Sequence, residues 1–424
     1  MTPEEPSQPE NETTTKPAAP RIILGISFPI LMMGFTSLFT DMSSEMIQVV
    51  LPTFVKTVLG GGYVTLGFVL GFSEAISNII KGISGWLSER LRKRKGLVIA
   101  GYSLSNLVAK PLMGFQKLAL PVVLLKVVER LGKGIRTAPR DALIAYHSGK
   151  KSGKSFGAHR AMDTLGAVFG PLLAALLLLL MFNEAQVIIL SIIPGLIAVV
   201  FLFFVKDIKQ EGRPKVDKKK ESGEKETISK KFIRVVAVLA VVEFASLNTG
   251  FLIARGNEFY SEHSELFVPL FYALFNVIYA VVALKAGAFS DKIGRKKIIL
   301  LGLSFLLGST ILLAMPWQTG SVVALILTPV IFVIFGLYIG MVDPLSRAMV
   351  SDLSEKKKGK AYGLYYFLVG IVSIPESILF GYLWDSFSPT VAFLFSASIL
   401  AVCMLVFFIA VPESVKKLIK SSET

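Results

Sequence analysis

The sequence predicts an all-α polytopic membrane protein: about twelve transmembrane helices in two pseudo-symmetric six-helix bundles. Three observations predict it. Hydrophobic residues make up 53% of the 424-residue chain, and the charged 18% gather in short runs between apolar stretches. Those stretches recur between residues 22 and 411 at the roughly 20-residue length that a helix needs to cross a bilayer core. The basic runs fall in alternate connections, as loops held on one side of a membrane do. Within lipid, each segment must satisfy its own backbone hydrogen bonds, which favours helix over open strand. A barrel strand would alternate apolar and polar positions over about 10 residues, and residues 173–181 show no alternation.

Residues 1–20 are rich in Pro, Glu, Thr and Asn. Without a basic flank or a compact apolar core, they read as a disordered tail and not as a signal peptide. Spans are expected over 22–58, 64–88, 97–116, 119–145, 156–182 and 186–205, then over 232–256, 266–290, 297–315, 321–350, 361–383 and 390–411. The first and tenth are long, so they are expected to tilt, kink or emerge. Arg90 to Lys95, Lys150 with Lys151 and Lys154, 206–231, Lys292 with Arg295 to Lys297, Lys356 to Lys360, and Lys416 with Lys417 carry the basic residues. Gly60 to Gly62, Asn183 to Ala185, Pro316 to Gln318 and Asp385 to Phe387 carry almost none. Lysine and arginine excess marks the cytoplasmic side, so both termini are expected there. Compact loops and the lack of a transit peptide point to the cytoplasmic (inner) membrane of a prokaryote.

The net charge of +15 follows from these loops. Membrane-facing, solvated charge accounts for it, so nucleic acid is not expected as a partner. Cys403 is the only cysteine, which excludes an intrachain disulfide. With three histidines scattered at 147, 159 and 263, no metal site is expected.

The connection over 206–231 divides six spans from six. Expected boundaries are a cytoplasmic tail (1–20), an N-terminal bundle (21–206), a charged linker (207–231), a C-terminal bundle (232–412) and a second tail (413–424). The halves resemble each other: Gly153-Lys154-Ser155-Phe156-Gly157 opens the fifth span and Gly359-Lys360-Ala361-Tyr362-Gly363 the eleventh. Parallel halves of this kind suit alternating access around a midplane site.

Between the eighth and ninth spans, residues 287–296 read G-x-x-x-D-K-x-G-R-K, with Gly287, Asp291, Lys292, Gly294 and Arg295 in the fixed places. Here the chain resembles the major facilitator superfamily, whose signature loop has this form in both halves. The first-half copy carries Gly85, Glu89 and Arg90, with Glu for Asp and Arg92 where the family has Gly. Glycine lets a helix end approach its neighbour, and carboxylate with base can form a charge-assisted lock. The resemblance implies a cytoplasmic gate; the plainer alternative is a topology signal. Arg130 and Gly134 match the family's R-x-x-x-G, and Gly166, Gly170 and Pro171 match its G-x-x-x-G-P, although its further glycine is Ala174 here. The resemblance associates that pattern mainly with exporters that exchange substrate for protons. Small residues at this spacing also allow close helix packing.

Ionisable residues inside spans are costly and usually line a cavity or pair. Asp41 and Glu45 share a face of the first span, at i and i+4. Glu74 lies in the second span, Arg130 and Arg136 in the fourth, Glu243 in the seventh, Arg347 with Asp343 in the tenth, and Glu376 in the eleventh. The resemblance places the first and fourth spans around the cavity. Asp41 or Glu45 is therefore expected to pair with Arg130 or Arg136, either as a proton-coupling switch, with Asp41 the carrier, or as a static helix clamp. Arg136, Arg140, Arg160 and Asp163 fall near span ends, where snorkelling to phosphates is the plainer reading.

The expected function is secondary active transport, with proton-coupled export of small organic or amphipathic compounds by alternating access. Alternatives are proton-coupled uptake of an organic anion, a lipid or lysolipid transporter, and a membrane receptor or scaffold on the same fold. No phosphate loop or catalytic motif appears, so no enzyme activity and no cofactor are expected. The proton gradient is the expected energy source, and the expected partners are a small-molecule substrate and the lipid bilayer. A monomer is expected.

Overall fold

A computed structural model describes residues 22–23, 26–90, 94–148, 152–205, 207, 230–260, 263–353 and 358–411. Both expected tails and almost all of the expected linker lie outside the described residues. Helices account for nearly everything described. In the first half they are α1 (Phe28–Thr57), α2 (Tyr63–Arg90), α3 (Arg94–Ser103), a π-helical turn (Leu104–Ala109), α4 (Lys110–Gly114), α5 (Ala119–Ser148), α6 (Ser152–Leu179), α7 (Glu184–Leu190) and α8 (Ile192–Phe203). In the second they are α9 (Lys230–Ala245), α10 (Thr249–Tyr260), α11 (Ser264–Ile293), α12 (Arg295–Ala314), α13 (Val322–Leu353), α14 (Lys358–Ser386) and α15 (Pro389–Ala410). Ahead of α1, β1 (Ile22–Ile23) pairs with β2 (Ile26–Ser27) where the first span was expected to begin. Among the described residues, nine helical segments are long and apolar enough to cross a membrane.

Three spans are interrupted. In the third, Pro111 has no N–H to give the carbonyl of Leu107, and the chain before it widens into the π-helical turn, with Lys110 N–H donating to the Ser105 carbonyl. In the sixth, Pro194 likewise leaves Leu190 without its donor, and α7 ends there. The seventh breaks at residues 246–248 without a proline. There the Asn248 side chain accepts the Gly250 N–H at 3.0 Å and starts α10, so the continuous seventh span expected from the sequence is two helices.

Packing repeats between the halves. Within the first, α1 packs on α6 and α8, and α5 on α2 and α3; within the second, α9 packs on α14 and α15, and α13 on α11 and α12. Two seams join them, α2 against α14 and α6 against α11. The α2–α14 seam brings backbones together. A Cβ on Gly67 would overlap the Ser377 carbonyl, one on Gly381 the Tyr63 carbonyl, and one on Gly370 would stand 2.9 Å from the Ala75 carbonyl. Along α6, Gly166 and Gly170 face the Leu38 and Met42 carbonyls of α1, leaving no room for a side chain at either. Pro171 follows inside the same helix.

Candidate functional site

Between α9, α10, α13 and α14 lies a cavity of about 210 Å³, with Glu74 of α2 reaching its wall. Glu74, Glu243, Asp343 and Glu376 line it, with the hydroxyls of Ser246, Thr249, Ser346, Ser373, Tyr338 and Tyr365, and no Lys, Arg or His does so among the described residues. The break at residues 246–248 puts a helix end on its surface. Of the acids, Glu74 accepts from Asn78 at 3.0 Å and is opposed by Lys81, Arg130 and Lys133 of its own half. Asp343 pairs with Arg347 at 2.5 Å, one turn along α13, and both are partly exposed. Glu376 accepts from Ser377 at 2.6 Å through Oε2, whereas its Oε1 is buried without a partner.

A second polar cluster fills the first half. Asp41 of α1 is within hydrogen-bonding reach of Asp163 of α6. Asp163 also accepts from Ser37 at 2.6 Å and from Arg160 at 2.8 Å. Arg160 in turn donates to the Tyr279 hydroxyl of α11 at 2.6 Å, carrying the network across the α6–α11 seam. Glu45, one turn after Asp41, accepts from Tyr272 of α11 at 2.8 Å.

The expected pairing of Asp41 or Glu45 with Arg130 or Arg136 is not formed. Arg136 is turned away into the α3–α5 contact, where its guanidinium donates to Ser105 at 2.5 Å and lies 4.1 Å from the Tyr102 ring centroid. Arg130 faces Glu45 and Glu74, but the carboxylate within 4 Å of it is its neighbour Glu129, at 3.9 Å. Glu129 is held more closely by Lys126, at 2.7 Å, with both side chains buried. Two residues outside the expected site belong to this interior. Asp163 carries the contact to Asp41, and Lys110, fully buried, donates to Thr40 O at 3.2 Å, Ser43 Oγ at 3.3 Å and Asn106 Oδ1 at 2.8 Å. A lysine inside an apolar span, four residues after an asparagine, was the signal available for Lys110.

Of the expected gate, Gly85, Glu89 and Arg90 fall in α2 with side chains outside the described residues. In the second copy, Gly294 has φ +100°, the conformation that glycine supplies, and turns α11 into α12. Arg295 pairs with Asp352 at the end of α13, at 3.0 Å. Asp291 and Lys292 are exposed. Gly287 has open space around it, so the close approach expected there is absent.

At the end of the molecule bearing Gly60 to Gly62, the halves are tied together. Asp385 of α14 accepts the N–H groups of Tyr63 and Val64 at 2.9 and 2.8 Å, capping α2. Tyr63 stacks on Trp384 at 4.0 Å and donates to Glu258 at 2.5 Å. Asn257 donates to Thr53 at 3.0 Å. Towards the basic-loop end, Arg160–Tyr279 and Lys81 over Tyr366 cross between the halves.

Two six-span halves joined at two seams, with a polar cavity among α9, α10, α13 and α14, define a polytopic helical membrane protein. The sequence profile of the Major Facilitator Superfamily matches residues 33–374 and 256–424. The chain is 36% identical over 383 residues to an uncharacterized MFS-type transporter of Methanocaldococcus jannaschii, covering 89% of this chain and 93% of that one. It is 25% identical over 363 residues to an uncharacterized protein of Mycobacterium tuberculosis, covering 84% and 86%. The protein belongs to the Major Facilitator Superfamily. Among solved structures, a nucleoside transporter superposes with TM-score 0.74 at 12% identity, covering 91% of this chain and 100% of that one. A POT peptide transporter does so with TM-score 0.75 at 13% identity, covering 92% and 95%. At these identities the likeness is one of fold. The chain is a multi-pass membrane protein and a secondary transporter of the MFS type.

Proposed function

We propose that this transporter exports small organic or amphipathic compounds in exchange for protons, by alternating access, as a monomer in the cytoplasmic membrane of a prokaryote with both termini cytoplasmic. The observation that carries this reading is the contact between Asp41 and Asp163. Two carboxyl groups hydrogen-bond to each other only when one of them carries a proton. Arg160 binds the same Asp163 and reaches Tyr279 on the other half, so gain or loss of that proton changes the charge on a contact that must shift when the halves rock. Asp41 is the carrier in this reading and Asp163 its partner. Glu45, bound to Tyr272, is the second cross-half carboxylate.

With the basic loops cytoplasmic, the tied end at Tyr63, Asp385 and Glu258 faces outward. In this reading Arg160 and Asp343, at 56% and 46% side-chain exposure, are reached from the cytoplasmic side. That is the state in which an exporter loads. Uptake of an organic anion is the weaker reading, because Lys126 and Arg136 are engaged within the first half and no base lines the cavity.

The test is flux in sealed proteoliposomes under an imposed pH gradient, across a panel of organic cations and anions, with Asp41→Asn alongside. Gradient-driven movement lost in the variant supports the reading. Movement that survives Asp41→Asn at every pH sinks Asp41 as the carrier.

A further inference from the structure

The acids around the cavity are not equivalent. Glu74 has cations of its own half opposite it, and Asp343 has Arg347. The Glu243 carboxylate makes no hydrogen bond or ion pair among the described residues; the cation facing it is Lys81, whose ammonium also donates to Asn78 at 3.0 Å and lies over the Tyr366 ring. Glu376 is only 9% exposed, and its Oε1 is buried with no partner. A carboxylate taken out of water without a counter-charge or hydrogen bonds is costly. Here Glu243, with Lys81 facing it, and Glu376, with one oxygen unpaired, come from facing helices, α9 and α14, onto one space that no basic side chain lines among the described residues.

The rest of the wall suits the same kind of guest. At the break between α9 and α10 the Ala245 carbonyl is already taken by the Ser396 hydroxyl, at 2.9 Å. The opposing start of α10 is already capped by Asn248. Tyr338 and Tyr365 add ring faces and edges that attract an ammonium group. At about 210 Å³ the space has room for about seven waters at ~30 Å³ each, or for one small organic cation.

From this geometry we propose that Glu243 and Glu376 together bind the ammonium group of the transported compound, so that the cargo is a small organic cation. The proposal rests on the carrier reading above and names its substrate class. Loading adds a counter-charge to a pair that Lys81 faces in the empty protein, and release on the far side removes it before the empty carrier returns.

The experiment is thermal unfolding of the full chain in nanodiscs, with no gradient, titrated with choline and with tetraethylammonium. The neutral isostere 3,3-dimethylbutan-1-ol and sodium chloride serve as comparison solutes. The expected result is a saturable rise in the unfolding midpoint with an organic cation but not with the alcohol or sodium. In Glu243→Gln and in Glu376→Gln the apparent affinity should fall about tenfold or more, since a charge-assisted contact is lost. The unliganded variants should melt no lower than the parent, which separates loss of binding from loss of fold. No saturable shift with either cation, an equal shift with the alcohol, or unchanged titrations in both variants would overturn the proposal. A saturable shift with sodium alone would overturn it too, by assigning the pair to an inorganic ion. Flux keeps the two readings apart. A protein that binds these cations yet moves no solute in liposomes defeats the carrier reading; one that moves an anion and ignores the cations defeats only the site.

Discussion

The interiors of the two halves handle charge in opposite ways. In the first, bases and acids are interleaved: Lys126 with Glu129, Arg160 with Asp163, Lys110 with three oxygen acceptors, Arg136 with Ser105 and Tyr102. In the second, the described lining of the cavity carries acids and no bases, and Glu376 keeps one buried oxygen unpaired. Arg255, the deeply buried base of the second half, is used up in structure. It donates to the Leu313 and Met315 carbonyls at the end of α12 and pairs with Glu258. Satisfied charges in a membrane interior hold helices in place, whereas unsatisfied ones are poised for a ligand or a proton. On the proposed reading the first half carries the proton site and the second meets cargo, although Arg130 Nε of the first half is also buried without a hydrogen-bond partner.

The strongest challenge to that contrast is Lys126→Met. It strips Glu129 of its close partner, and breaking a buried pair by removing one member costs about 3–5 kcal/mol. The expected outcome is a large loss of monodisperse protein on size-exclusion chromatography; a normal yield would mean that the first half does not depend on its pairing. Asp41→Asn comes next. The protein should fold normally, bind cations as before and lose gradient-driven flux to the level of protein-free liposomes. If binding were lost as well, the division of labour between the halves would fail. Smaller is the effect of Glu243→Gln on the empty protein. Replacing a half-buried carboxylate that has no hydrogen bond should raise the unfolding midpoint by about 2 °C, for ~1 kcal/mol, and a fall of that size would mean that its attraction to Lys81 already satisfies Glu243. Smallest is Arg347→Gln. Its pair with Asp343 is partly exposed, so the change should stay within about 0.5 kcal/mol, read as an unfolding midpoint indistinguishable from the parent.

The two seams differ in a related way. The α2–α14 seam adds backbone-to-backbone contact at its glycines to bridges such as Asp385 to Tyr63, whereas the α6–α11 seam is bridged by side chains: Asn276 to the Ala167 carbonyl and Arg160 to Tyr279. Side-chain bridges can exchange partners during rocking, while glycine-lined contact allows sliding about a fixed line. Gly67, Gly370 and Gly381 stood in the sequence as ordinary membrane-helix glycines, and nothing in their spacing told which helix each would meet.

Much of the fold was legible along the chain, because a bilayer imposes its rule segment by segment. Apolar length sets the spans and basic loops alternate, but the third and sixth spans, expected as continuous over 97–116 and 186–205, are interrupted ahead of Pro111 and Pro194. The repeat of Gly153 to Gly157 at Gly359 to Gly363 announced the two halves. Asp41, Glu45, Glu74, Glu243 and Glu376 were visible as charges inside spans for the same reason. The break at residues 246–248 was not visible, since Ser, Asn and Thr are tolerated inside membrane helices and only the packing around them leaves the turn open. Partners were equally hidden. Whether Asp41 meets Arg130 or Asp163 depends on helix rotation and depth, and whether a carboxylate is satisfied depends on every neighbour at once. Sequence by itself determined that the chain crosses a membrane in paired sets of helices with charge inside. Only the tertiary structure decided which charges cancel and which stand alone, because pairing is a property of distances between helices and hydropathy is a property of each helix by itself.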